Sequence, residues 1–401
     1  VVVAPALLAV LGPRLNAGRL PWARRRPLRG PESPLWGRIA GAGFRRPALA
    51  ARPVIAVLLL AASPLRHVSF GTPDAGALPS GAASRTVAEA VQSDFPGNDV
   101  DAVDVVLDAP VGAGDLGAYA ATLSTLDGVR SVESSAGVYA GGTVTGPGNP
   151  DLGRPGAQRL AVVTGLTVKS PQARQLVADL RAVPGPDGVH PLVGGEDARF
   201  VDTRHAIGAG LPWALLWIVA TSVIVLFLFT GSILQPLRAL LLGALSLAAT
   251  LGVMTWIFQD GHLSGLLGFT ARPVDTAMSV LLFCIAFGLS MDYEVFVTSR
   301  IKELHDRGAD PADATVTGLA RTGRLVSTAA GLLAVSFVAF GTSSVSFLQM
   351  FGLGAALAIV IDATLVRGVL VPAVMRLLGR RIWYAPAPLR RVHARVALGE
   401  A

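Results

Sequence analysis

The chain is poor in charge. Of 401 residues only 15% are Asp, Glu, Lys or Arg, while 52% are hydrophobic, and the mean hydropathy is +0.55. That balance excludes an ordinary soluble domain and points to an integral membrane protein. The single cysteine, Cys284, stands in an apolar run, which leaves no disulfide and no cysteine-based metal site within the chain. The histidines are scattered, with no H-E-x-x-H pair, and no G-x-S-x-G elbow is present, so zinc-peptidase and serine-hydrolase chemistry lack their residues. No Walker motif is present to couple the protein to a nucleotide. The formal net charge of +7 fits arginines held on the cytoplasmic side of a membrane better than a nucleic-acid partner.

What is present are apolar runs. Spans are expected at residues 47–65, 206–229, 236–258, 274–298, 325–340 and 351–378, with Arg52 and Arg238 at the starts of two of them. Residues 15–46, with arginines at 24, 25 and 26, read as a basic cytoplasmic linker. Residues 299–324 read as a charged inner loop, and residues after 379 as a basic tail. The segment PALLAVLG at 5–12 is similar to PAVMRLLG at 372–379. This internal repeat makes 1–12 the expected end of an earlier helix, and the chain the expected second half of a transporter built from two repeats.

Between His67 and Arg204 the character inverts, with 16 acidic residues against 9 basic, as expected on the outer side. The pattern predicts a helix at 83–94, a strand at 104–107, a helix at 112–126, a strand at 129–132 and a strand at 160–166. A helix at 171–183, capped by Ser170, and a strand beginning at Leu192 and Val193 follow. Strand-helix-strand-strand-helix-strand is the split βαβ order of a ferredoxin-like domain. The Gly-rich loop at 141–156 is no phosphate cradle, since no Lys-Ser/Thr follows and no helix opens behind it.

The stretch that organises the chain is 288–303, GLSMDYEVFVTSRIKE. It ends an apolar run that carries only Asp275 near its start. A carboxylate in such a run costs several kcal/mol and marks a proton or ion path. Cys284, Gly288, Asp292 and Phe296 recur at i, i+4 steps and share one helix face. Asp292 is expected to be buried, with Gly288 and Phe296 beside it in one cavity. Glu294 points elsewhere and is read as an interfacial charge near Arg300 and Lys302. Ser290, Ser327 and Thr328 are candidate polar neighbours of the acid. Asp362 and Arg367 form a coupling or structural pair, although a spacing of five is poor for a shared α-helical face. Gly352, Gly354, Ala356 and Ala358 allow close helix packing.

The 288–303 stretch resembles the signature of the MmpL family within the resistance-nodulation-division superfamily of exporters. In that family an Asp-Tyr pair in the tenth transmembrane helix faces another in the fourth, and together they relay protons. The resemblance implies that Asp292 and Tyr293 are the tenth-helix pair and that the domain at 66–205 is a porter domain handling substrate outside the membrane.

The expected architecture is a membrane α-helical bundle of six spans plus an N-terminal helix remnant, with an inserted α+β ferredoxin-like porter domain. Its parts are 1–12, the remnant; 13–46, the linker; 47–65, a span; 66–205, the porter domain; 206–378, five spans; and 379–401, the tail. The expected function is proton-motive-force-driven export of lipids or other lipophilic molecules across the cytoplasmic membrane, with no enzymatic step, cofactor or metal. The expected partners are membrane lipids, a lipophilic substrate, protons and the N-terminal half of the transporter. The alternatives are a sterol- or lipid-sensing, non-transporting member of the same superfamily and, behind it, an intramembrane aspartyl hydrolase using Asp292 and Asp362.

Overall fold

The computed structural model describes residues 33–72, 75–79, 81–94 and 102–396, together with Ala9, Val10 and Gly12. The repeat expected at 1–12 and the linker up to residue 32 therefore lie, apart from those three residues, outside the described residues. Six helical segments are long and apolar enough to cross a membrane: Pro47–His67, Glu196–Thr230, Leu234–Gln259, Thr276–Asp306, Pro311–Gly341 and Ser346–Trp383. The protein is a multi-pass membrane protein.

The chain enters the bundle through α1 (Pro34–Arg45) and α2 (Pro47–Ala62). The end of the expected linker is thus a packed helix. Trp36, Ala40 and Phe44 are buried at i, i+4, i+8, a spacing that puts them on one helical face. After α2, a two-residue strand β1 (Phe70–Gly71) and the helix α3 (Ala83–Asp94) lead into an α/β domain.

That domain contains β2 (Val103–Leu107), α4 (Ala113–Leu123), β3 (Val129–Glu133), β4 (Val138–Ala140), β5 (Thr143–Gly146), β6 (Gly153–Arg154), β7 (Ala157–Thr164), α5 (Pro171–Ala182) and β8 (Leu192–Gly194). The main sheet runs β5-β4-β3-β7-β2-β8, with β6 added to β7, and the pairs are antiparallel. Alternate residues of β2 (Val103, Val105 and Leu107) are buried against Leu116 and Leu123 of α4 and Leu176 and Leu180 of α5, as the period of two in a strand requires. Ser170 caps α5 by accepting from the Ala173 amide. The Gly-rich segment at 141–156 carries strands β5 and β6. The turn between β4 and β5 is made by Gly141 and Gly142 at φ +56° and +84°, where glycine is free of the Cβ penalty.

α6 (Glu196–Thr230) has 35 residues, about 52 Å at roughly 1.5 Å per residue, so it outruns a hydrocarbon core of about 30 Å. Its first turns belong to the α/β domain, where Ala198 and Phe200 are buried. Its remainder exposes Trp213, Leu216, Trp217 and Ile224, a surface suited to lipid.

α7 (Leu234–Met254), the short α8 (Ser264–Leu267) and β9 (Val274–Asp275) precede α9 (Thr276–Asp306). β9 pairs in parallel with β1, which ties the end of α2 to the start of α9. The charged segment at 299–324 is not a loop. α9 continues to Asp306 and α10 (Pro311–Gly341) opens at once, because its charges pair at i, i+4, as in Lys302–Asp306 and Glu303–Arg307. Asp310 caps α10 by accepting from the Ala312 amide.

α11 (Ser346–Ile361) passes into a wide-turn π segment, Asp362–Leu370, and on into α12 (Val371–Leu378). The tail holds α13 (Ala387–Val396). Ala249, Val297, Ile301, Leu319, Val326, Leu370 and Met375 form the bundle core. α10 and α11 meet at Gly352, where a Cβ would stand 2.6 Å from the Phe337 carbonyl oxygen.

Because that oxygen is backbone, Gly352→Val should lower stability by about 1–3 kcal/mol, read as a fall in thermal midpoint in detergent. Gly331, where an added Cβ would meet nothing within 4 Å, is the control. Gly331→Ala should leave the midpoint unchanged or raise it.

Candidate functional site

Two faces of α9 divide the acids. Residues two apart on an α-helix point about 200° from one another, so Asp292 cannot share a direction with Ser290 or Glu294. Ser290, Glu294, Val297, Thr298 and Ile301 follow i, i+4, i+7, i+8, i+11 and form the inward face, with the last four buried. Cys284, Gly288, Asp292 and Phe296 form the opposite stripe, and all four are exposed.

This reverses the burial expected of the two acids. Asp292 lies on the exposed face, and Glu294 is the buried one. The i, i+4 spacing groups the stripe correctly, but spacing does not say which side of the helix the rest of the bundle covers.

Glu294 can be buried because Arg238 of α7 reaches it. Arg238 and Glu294 form an ion pair with side chains 2% and 8% exposed. Thr298 donates to Glu294 Oε1 at 2.6 Å, and Arg238 Nε donates to Gln235 Oε1 at 3.0 Å. Glu294 is therefore not an interfacial charge beside Arg300 and Lys302; those two side chains pair with Glu303 and Asp306 instead.

A second buried pair stands on the π segment. Arg367 Nε donates to Asp362 Oδ2 at 2.8 Å. A π-helix closes i→i+5 hydrogen bonds, and this widened turn brings a pair five apart onto one face. Ser290 Oγ donates to Asp362 Oδ1 at 2.8 Å, and Arg367 Nη2 donates to the Ser290 carbonyl at 2.6 Å. The Arg367 guanidinium also lies 5.3 Å from the centroid of the Tyr293 ring, within cation–π range. Ser290 and Tyr293 of α9 are thus held to α11's continuation by one arginine.

Asp292 differs from both paired acids. Among the described residues it has no ion pair and no side-chain hydrogen bond. It sits 16 residues into α9, about 24 Å along the helix.

Ser327 and Thr328 are not part of this network. Ser327 accepts from Trp36 Nε1 at 2.9 Å and donates to the Gly323 carbonyl. Thr328 donates to the Arg324 carbonyl at 2.8 Å, the backbone bond that helical threonines commonly make. Ser327 stands at the α1–α10 contact, and Thr328 is exposed. The geometry also leaves no facing acid dyad of the aspartyl-hydrolase kind, because Asp362 is engaged by Arg367 and Ser290 on the side of α9 opposite to Asp292.

Arg238, Gln235 and Thr298 are site residues that the sequence pattern alone does not single out. A signal for one of them was available: a buried carboxylate requires a cation, and Arg238 is the lone charge within the apolar α7.

Comparison with known proteins bears on the whole chain. The sequence model of the MMPL family matches residues 77–396. A membrane protein of Streptomyces coelicolor is 39% identical over 398 residues, which is 99% of this chain and 52% of that protein. The trehalose monomycolate exporter MmpL3 of Mycolicibacterium smegmatis is 34% identical over 373 residues, 92% of this chain and 36% of that protein. The mycolic acid-containing lipids exporter MmpL11 of the same organism is 29% identical over 395 residues, 97% of this chain and 40% of that protein. The chain spans about half or less of the length of these relatives.

The buried pairs generate a stability prediction. Arg238→Met strands Glu294 without its cation and should cost about 3–5 kcal/mol, whereas the double variant Arg238→Met/Glu294→Leu should recover most of that loss. Thermal midpoints of the two single variants and the double variant, closed as a cycle, give the coupling. A fully additive cycle would show that the pair contributes nothing.

Proposed function

The chain belongs to the MMPL family, and from that premise we propose that it is the second half of a proton-motive-force-driven exporter of lipids or other lipophilic molecules across the cytoplasmic membrane. Members of the family are transporters rather than enzymes, and the relatives' names support a lipid cargo. The observation that carries the proton role is the division of charge around α9. Of the three acids at this level, Glu294 and Asp362 each carry an arginine and Asp292 does not. An acid whose charge is not cancelled locally is the one whose protonation changes the net charge of the site, and an intramembrane acid of that kind is a proton carrier by default.

The exposed stripe completes the reading. A carboxylate facing lipid is costly, so the face formed by Cys284, Gly288, Asp292 and Phe296 is read as the seat of the transporter's N-terminal half. Tyr293, braced on Arg367, holds the neighbouring backbone in place. Proton uptake and release at Asp292 would favour different dockings of the two halves, which is the linkage a secondary transporter requires. The α/β domain, residues 66–205, is read as a ferredoxin-like porter domain on the outer side. The pairing order β3-β7-β2-β8 of the strands that flank its two helices supports that topology.

In the assembled transporter reconstituted in vesicles, Asp292→Asn should express and fold normally, because the swap is nearly isosteric, yet lipid export under a pH gradient should fall to background. Tyr293→Phe should be milder, since it keeps the ring over which Arg367 lies. Export at the wild-type rate by Asp292→Asn would sink the proposal.

Orientation is tested separately. In a Cys284→Ser background, a cysteine at exposed Gly156 should react with an impermeant maleimide added to intact cells, and one at exposed Arg307 should not. The opposite pattern would reverse the direction of export.

A further inference from the structure

Where the α/β domain meets the bundle, the structure holds a cavity of about 600 Å³, well within the range of ligand-binding clefts. Four cationic side chains line it from three directions: Lys169 and Arg174 from the start of α5, Arg204 from α6, and Arg272 from the segment before β9. Asp275 is the carboxylate that the described residues place in the lining, and its Oδ1 is taken up in capping α9 through the Met278 amide at 2.7 Å. Lys169 is paired with Glu196 at 2.9 Å. Arg204 is exposed and makes only a stacking contact over Phe200. The wall between these cations is apolar, formed by Phe200, Phe258, Phe347 and Met350, three of them buried.

The level of this cavity matters as much as its charge. From residue 205 to its end α6 carries no Asp, Glu, Lys or Arg, so Arg204 is the last charge before the lipid-facing surface. A cavity that carries cations around an apolar wall, at the polar–apolar boundary of a span, matches an amphiphile whose head is negative. Anionic oxygens favour guanidinium groups, which can offer two donors at once. We propose that this cavity is a binding site for a lipid with an anionic, phosphate-type headgroup, the head between Arg174 and Arg204 and the acyl chains along α6. The proposal rests on the lipid-export reading only for its orientation towards lipid. A site of this kind would also touch the first turn of α9, whose cap residue Asp275 lies in the lining.

The test requires no proton gradient. The chain in detergent is photolabelled with phosphatidylglycerol bearing a diazirine on its acyl chain, and in parallel with the phosphatidylcholine analogue, and labelled peptides are mapped by mass spectrometry. The expected result is labelling of the segments around 68–72 and 346–350, stronger by about tenfold with the anionic lipid, the size of one charge-assisted contact. Arg174→Gln/Arg204→Gln should drop it to the phosphatidylcholine level, and Arg174→Lys/Arg204→Lys should restore most of it, which separates lost charge from lost fold. Asp292→Asn should label as the wild type does, so a failure of the proton reading leaves this result standing. Equal labelling by the two lipids, or labelling unchanged in the Gln variant, would overturn the proposal. So would complete loss of labelling on adding inorganic phosphate, which would assign the site to a free anion.

Discussion

A carboxylate cannot be carried into an apolar helix bundle without its countercharge. Leaving one ion of such a pair uncompensated costs about 3–5 kcal/mol, a large part of the stability of a whole domain. This constraint decides how α7, α9 and the continuation of α11 fit together. Arg238 must lie opposite Glu294, and Arg367 must lie within reach of Asp362 and of the Ser290 carbonyl. The two arginines fix the rotation of α9 about its axis, because Ser290 and Glu294 can face inward only if Asp292 faces out. The π segment is part of the same solution. An ordinary α-turn would put Asp362 and Arg367 on different faces, and the wider turn brings them together.

Much of the fold is in plain view in the sequence. The six spans, the helix at 83–94 and the alternation of strands and helices in the α/β domain follow from periodicity and turn residues, and Ser170 announces the start of α5. The charges of residues 299–324 suggest a loop, whereas Lys302 with Asp306 and Glu303 with Arg307 pair one helical turn apart. The site is legible in part. Position in an apolar run singles out Asp292 as a candidate, Tyr293 enters only through the family resemblance, and the i, i+4 rule groups Asp292 with Gly288 and Phe296. Which face is buried is not legible, because burial depends on a partner, Arg238, 56 residues away in sequence. The pairing of Asp362 with Arg367 is hidden for a different reason, since nothing in the residue types demands a π-turn. Composition alone draws Ser327 and Thr328 towards the relay, and Trp36 shows that Ser327 belongs to the α1 contact.

α9 links these features into one object. Its first turn is capped by Asp275 at the junction with the α/β domain, its middle carries Asp292, and its far end is stiffened by paired charges. The exposed stripe that contains Asp292 is the face on which a proton and a second half of the transporter would act together.

If the neutralised pairs leave Asp292 as the acid that exchanges its proton, the exchange is visible in the carboxyl C=O band. Infrared difference spectroscopy of the reconstituted transporter, stepped in pH, measures it directly. One intramembrane carboxyl signal should appear on acidification and disappear in Asp292→Asn. A signal that survives in Asp292→Asn, and vanishes only when Glu294 or Asp362 is replaced, would contradict the role given to Asp292.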